Sequence, residues 1–348
     1  MELQAIIVCD KGAAQATTKE AARHNLTIKE EQETYIIVTG SLEQLSTYTY
    51  YAQSALDVLI ILEENSNPET INKELWSNDA KEIIKKDFAI RAQTKNALET
   101  NKAYGKHLDE QLDIPVNLNN PTTRIVPYTT KDTTTLTVAI TNKELKKREY
   151  RVFTSNTSLR ATIAASTLYL AGYTGEQELL VPYETDGTLS IEAAMIATKK
   201  SPHHYEGIQL PTTPKKLEER PTTIHAAHPS VQHLKASQKN AKIAGVLQHI
   251  QQTKAPIDWL DTKYDENQFD ILIANLPSSS KKTTKEQAQE LAKELLYQAK
   301  YLLKKTATLA LISTKPEEIQ ELFTELKKKK EHTLYMGEQK ITLLLYEV

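Results

Sequence analysis

Cysteine occurs once in the 348 residues, at Cys9. A single thiol excludes a disulfide framework and any zinc site built from clustered cysteines, and it suits a reducing compartment. Glycine is scarce too, with nine residues in all, well under the usual share of ~7%. No two glycines stand one residue apart. The chain therefore has neither a dinucleotide fingerprint nor a phosphate loop, because both need clustered glycines to bring backbone amides close to phosphates. No apolar run approaches the ~20 residues of a membrane span, and the opening Met1-Glu-Leu-Gln has no basic leader. Positive charge is not in excess, since 43 Lys and Arg meet 45 Asp and Glu for a net charge of -2. Any nucleic-acid surface must then be local. NAD-dependent oxidoreductases and P-loop nucleotidases are excluded, and a soluble, cytoplasmic protein is expected.

What is present fits a globular protein of two or three domains, 39% hydrophobic and 25% charged. The first segment reads as strands at 5–8, 34–39 and 57–62 with helices between them, one of them capped by Ser41. The polar stretch from Glu63 to Pro68 marks a boundary. A second segment predicts a helix over 68–86, a strand at 87–93, a helix over 98–112, and strands at 115–118 and 135–140. From about Thr157, strands alternate with helices, which argues for a parallel α/β sheet. The predicted strands there are 179–181, 223–227, 269–274 and 308–313. Helices are expected at 159–171, 191–198, 231–244, 285–304 and 317–329, before a terminal hairpin of 332–336 and 340–346.

Six strings in order carry a family resemblance: Phe88-Ala-Ile-Arg-Ala, Val116-Asn-Leu-Asn-Asn-Pro, Glu144-Leu-Lys-Lys-Arg-Glu-Tyr-Arg, Ser158-Leu-Arg-Ala-Thr-Ile-Ala-Ala, Gly187-Thr-Leu-Ser-Ile-Glu-Ala-Ala and Asn240-Ala-Lys-Ile-Ala-Gly-Val. Together they resemble the THUMP-domain RNA methyltransferases, especially tRNA and rRNA guanosine-N2 enzymes. The resemblance implies an α/β protein with a ferredoxin-like domain at 1–66, a THUMP RNA-binding domain at 67–145, a linker and first helix at 146–172, and a Rossmann-like seven-stranded methyltransferase domain at 173–348. It implies S-adenosylmethionine as cofactor, unless the site has been lost, and tRNA or another structured RNA as partner.

The resemblance also assigns residues. Pro182, Glu184, Asp186, Gly187 and Thr188 fall in the cofactor loop, His228 where an acid would hold the ribose hydroxyls, and Asp258 near the adenine. Asn275 and Pro277 fall in the catalytic loop, where the Asn275 oxygen and a neighbouring carbonyl would accept the two N–H bonds of a guanine amine. Arg91, Lys95, Lys102 and Lys106, with Lys147, Arg148 and Arg151 at the domain junction, would meet RNA phosphates.

Four positions depart from the family pattern. Val181 replaces the opening acid, Thr185 the first glycine, His228 the ribose acid, and Ser278 the aromatic that stacks on a flipped base. Glu184 and Asp186 have two readings: they face the ammonium and sulfonium of the cofactor, or they cap the helix beginning near Thr188. His225, His228 and His233 have spacing that suits no metal site. Two functions follow: guanosine-N2 methylation of tRNA, or RNA binding by a chain that kept the fold and lost the chemistry.

Overall fold

The computed structural model describes residues 2–130, 133–205, 207–220 and 222–348. They form two compact units. One comprises the start of the chain through Cys9, Thr17–Lys146 and His203–Lys216; the other comprises Asp10–Ala16, Lys147–Pro202 and Leu217–Val348.

In the first unit, strands β1 (Leu3–Cys9), β2 (Thr27–Glu31), β3 (Tyr35–Gly40), β4 (Ala55–Glu63), β5 (Phe88–Ile90), β6 (Thr123–Thr130) and β7 (Thr133–Ala139) form one sheet in the order β2-β3-β1-β4-β7-β6-β5. The ladder from β4 to β7 joins residues on either side of the 66/67 divide. The helical elements are α1 (Ala14–Arg23), α2 (Leu42–Tyr51), α3 (Asn78–Lys81) and α4 (Ala97–Gln111). Ser41 caps α2 with a full capping box, as its sequence predicts. Tyr104 and Leu108 of α4 bury against Phe88, Ile90 and Ile125 in one apolar cluster.

Two expectations fail in this unit. The helix over 68–86 is replaced by 3-10 turns at Pro68–Thr70 and Lys73–Leu75, followed by the short α3. The cause is three successive caps: Asn67, Asn72 and Ser77 each turn a side-chain oxygen onto a backbone N–H two or three residues ahead and restart the turn. The strand expected at 115–118 shrinks to a bridge between Val116 and Phe88. Strands β2 and β6 were not anticipated. Pro127 argues against a strand, yet it sits in β6 beyond the point where its neighbour β5 ends, so no ladder bond to β5 is lost there.

The second unit runs α5 (Ala161–Leu170), β8 (Leu179–Pro182), α6 (Thr188–Thr198), β9 (Ile224–Ala227), α7 (Val231–Ile243), β10 (Ile250–Thr253), β11 (Phe269–Asn275), α8 (Lys285–Leu302), β12 (Leu303–Ser313), β13 (Lys327–Met336) and β14 (Gln339–Glu347). The sheet order is β10-β9-β8-β11-β12-β14-β13. Strands β8 to β12 are parallel, and β13 and β14 return antiparallel as the expected hairpin. This is the Rossmann-like seven-stranded arrangement. The helix expected over 317–329 is instead two 3-10 turns and the start of β13. Lys327 and Lys329 both reach Glu347 across the hairpin, at 3.2 and 2.9 Å, so cross-strand pairing overrides helix propensity.

One junction residue turns inward. Arg148 Nε lies 3.0 Å from Glu192 Oε1 of α6 with both side chains fully buried. Tyr150 donates its hydroxyl to the same oxygen at 2.7 Å. Burial and the adjacent Glu192 push the Tyr150 phenol well above its ordinary pKa. Arg148 is therefore a core ion-pair partner and is removed from the phosphate contacts, whereas Lys147 beside it is exposed. Breaking a buried pair strands the remaining charge, so Arg148→Ala is expected to destabilise the chain by about 3–5 kcal/mol. Lys147→Ala is expected to change it by under ~0.5 kcal/mol. Urea denaturation of both variants reads the difference, and equal midpoints would contradict the inward placement.

Candidate functional site

The order of the second sheet fixes where a site can form. From β8 the chain steps outward to β9 and β10, then returns to pair β11 on the other side of β8. Such a reversal leaves a crevice at the carboxyl ends of the two central strands, here β8 and β11. The turn after Pro182 and the turn at Asn275 both open there, and Leu159, Tyr183, Glu184, Thr185, Asp186 and Asn275 line one narrow space. Val181 is wholly buried in its strand. Gly187 adopts φ +84°, and a Cβ there would lie 2.5 Å from the Ser237 hydroxyl, so only glycine suits the turn into α6. Asn240 holds this loop from α7 by donating to the carbonyls of Asp186 and Phe153 at 2.8 and 2.9 Å. That gives a structural reason for the asparagine in the sixth string.

The crevice between the tips is nearly full. Its free volume is about 10 Å³, close to what one water needs and far below the ~300–1,000 Å³ of ordinary small-molecule sites. Tyr183 has φ 61°, and its side chain packs, partly buried, against the main apolar cluster of the unit. Its ring centroid is 4.8 Å from the His228 ring, which lies 4.5 Å from the ring of His233. His228 accepts a hydrogen bond from the Ser230 N–H at 2.9 Å through Nδ1. Burial, with His233 adding to it, lowers its pKa to about 4, so the ring is neutral near pH 7. His233 Nδ1 sits 3.2 Å from the Thr185 carbonyl. Of these rings only Tyr183 lines the narrow space, with Thr185, and the space as it stands has no room for a nucleoside with an amino-acid tail. Where a ribose would need an acceptor carboxylate, His228 offers an imidazole whose acceptor nitrogen is already bonded. Asp258 is exposed on the 3-10 turn Ile257–Thr262 and lines none of the cavities described here.

A much larger cavity opens beside it. About 820 Å³ is bordered by Ser155–Leu159, His233, the segment Asn275–Thr283, and Met336, Gln339 and Ile341 of the hairpin. Asn275 lines both spaces, and its amide donates to the Thr157 carbonyl at 3.0 Å. Pro277 lines the larger one. Ser278, at the stacking position, lies 3.2 Å from the Ser313 hydroxyl and accepts from Thr314 at 3.0 Å. The next residue is clamped: Glu318 accepts from the Ser279 N–H at 3.0 Å and from its hydroxyl, while Lys315 donates to the Ser279 carbonyl at 2.8 Å. No local sequence pattern signals this clamp, because its halves are 39 residues apart.

The remaining basic candidates divide. Lys95 and, on α4, Lys102 and Lys106 are exposed, the last two one helical turn apart on the same face. Arg91 spends its guanidinium on the carbonyls of Ile90, at 3.2 Å, and Leu118. Arg151 is half-buried. Of the three histidines, His225 faces Tyr264 and Phe269 inside the unit, away from the other two. Among the described residues, no group of three or more His, Cys, Asp or Glu could hold a metal. Among them, too, no helix is long and apolar enough to cross a membrane.

Glu184 and Asp186 serve the start of α6. Glu184 accepts from the Ser190 N–H at 3.0 Å and Asp186 from the Thr188 N–H at 3.2 Å. The second Asp186 oxygen is buried with no hydrogen-bond partner. Burial, then repulsion from Asp186, raises the Glu184 pKa from 4.5 to about 7. Between those two values the folded chain holds a proton that the unfolded chain has released, so stability falls as pH rises through that window. Glu184→Gln removes the penalty. Its gain over the parent should be small at pH 5 and grow to about 2–3 kcal/mol at pH 8. Urea denaturation at both pH values measures it, and an equal gain at both would contradict a buried, proton-holding Glu184.

Comparison with known proteins bears on the same unit. A family model described as the RMKL-like methyltransferase domain matches residues 148–343, more than half of the chain. The tRNA (guanine(6)-N2)-methyltransferase of Methanocaldococcus jannaschii is 25% identical over 80% of this chain and 81% of its own. Among solved structures, SMU.472, a putative methyltransferase complexed with SAH, superposes with a TM-score of 0.75 at 17% identity, over 99% of this chain and 98% of that one. TrmN from Thermus thermophilus does so with a TM-score of 0.74 at 16% identity, over 100% and 99%. The reversal at β8 and β11 thus carries a known kind of fold, and the chain belongs to the RMKL-like methyltransferase-domain family.

Proposed function

We propose that the chain binds structured RNA, tRNA foremost, and receives one extruded nucleotide in the cavity beside Asn275. The observation that carries this reading is that cavity: about 820 Å³, bordered by the exposed Lys281 and Lys282 and floored by the hydroxyls of Ser278 and Thr314. Its size suits a nucleotide, its walls can bond to base edges and sugar, and its rim can meet phosphate. The M. jannaschii relative is named for an activity on tRNA, which supports the choice of RNA. In this reading residues 67–145 act as a THUMP RNA-binding region after a ferredoxin-like segment at 1–66, and Lys95, Lys102 and Lys106 contact the backbone. Lys147, in the second unit, is a further backbone contact in this reading.

Guanosine-N2 methylation is the second reading, favoured by the placement of Asn275 at the strand tip and by the reaction named for that relative. It needs S-adenosylmethionine at the crevice. The residues there do not accommodate it, so RNA binding stands first and no methyl-transfer step is derived.

Bulk tRNA is expected to bind with an affinity that falls steeply with salt. The Lys102→Ala, Lys106→Ala double variant should bind several-fold more weakly, with a salt slope shallower by about one to two. Filter binding across ~50–200 mM salt measures both. Absence of tRNA binding at the lowest salt would overturn the proposal.

A further inference from the structure

We propose that Tyr183, braced by the rings of His228 and His233, is an internal plug that takes the place of a bound cofactor, so that this unit folds with its crevice closed to S-adenosylmethionine. The inference goes beyond RNA binding and does not depend on it.

Three observations converge. The first is space: about 10 Å³ remains between the tips of β8 and β11, although the cavity on the far side of Asn275 holds about 820 Å³. The unit is therefore closed at one place and open beside it. The second is how the closure is built. Tyr183 holds a left-handed backbone, uncommon for a bulky residue, and its side chain packs against the apolar cluster that includes Leu180, Ala227 and Leu276 as well as Ala255 and Ile257. The ring column then runs through His228 to His233, which fastens back to the Thr185 carbonyl. One column thereby ties the β8 turn, the β9 turn and the first turn of α7. The third is chemistry. A ribose diol is held by acceptors, yet the His228 acceptor nitrogen is bonded to the Ser230 N–H, and Val181, where the resembled pattern has its opening acid, is apolar and fully buried. Glu184 and Asp186 each have an oxygen bonded to the start of α6.

These features reinforce one another. Restoring the acid at 228 alone would place a carboxylate against the Tyr183 ring, and restoring glycine at 185 alone would leave the rings in place. Several substitutions are thus bound to one packing arrangement, which is how a ligand's volume is replaced by side chains.

Isothermal titration of the wild-type chain with S-adenosylmethionine or S-adenosylhomocysteine is expected to show no saturable binding up to about 1 mM. Binding below that concentration would overturn the proposal. In parallel, the histidine ring NMR signals of the wild-type chain should stay unmoved as S-adenosylhomocysteine is added; saturable shifts at His228 and His233 would overturn it. Tyr183→Ala is expected to gain binding by at least about tenfold. A folded Tyr183→Ala chain with no gain would overturn the assignment of that ring as the plug. Should Tyr183→Ala not fold, Tyr183→Asn, which removes the ring and suits the left-handed backbone, poses the same question, with the same gain supporting and the same lack of gain overturning it. In the presence of 1 mM S-adenosylmethionine, tRNA affinity is expected to be unchanged, so a failure of the plug and a failure of RNA binding give different results.

Discussion

The parallel pairing of β8 with both β9 and β11 is the constraint from which the rest of the second unit follows. It sets two loops, nearly 90 residues apart in sequence, at neighbouring strand tips. Everything with chemical character in this unit collects there: the carboxylates at the start of α6, the amide of Asn275, the ring column and the hydroxyl-lined cavity. The fold would place these side chains together whatever their identity. Their identity decides whether the crevice admits a ligand or packs like a core.

Here it packs like a core. The methyltransferase pattern that the chain resembles has glycine, at the position of Thr185, in the turn after the first strand. This chain puts a tyrosine and a branched threonine in that turn and stacks two histidines behind them. The buried carboxylates are consistent with a closed space, because Glu184 holds its proton up to about pH 7 for want of solvent. The capping reading of Glu184 and Asp186 thus describes bonds that exist, while Asp186 retains one unbonded oxygen. Next door, Glu318 and Lys315 hold the Ser279 turn against the turn that follows β12, on the border of the larger cavity.

Much of this was legible before any coordinates. Alternating strands and helices after Thr157 gave the parallel sheet, and the strings around Gly187, Asn240 and Asn275 put the loops at its tips. The four departures at Val181, Thr185, His228 and Ser278 pointed to an altered crevice. The ring column itself was not legible, because Tyr183 and His233 meet only through strand register, and pairwise ring contacts leave no local pattern. Nor was the fate of Arg148, which sits in a basic run yet pairs with Glu192 more than 40 residues away. The failed helices have local causes that propensity sums miss: three Asn and Ser caps in one case, a cross-strand glutamate in the other.

The central claim is that side chains, and not a ligand, fill the space between the β8 and β11 tips. A crystal structure of the full chain grown with millimolar S-adenosylhomocysteine tests it most directly. The account predicts Tyr183, His228 and His233 in ring contact with no ligand density between the tips. Density for the nucleoside there, with Tyr183 displaced from the His228 ring, would contradict it.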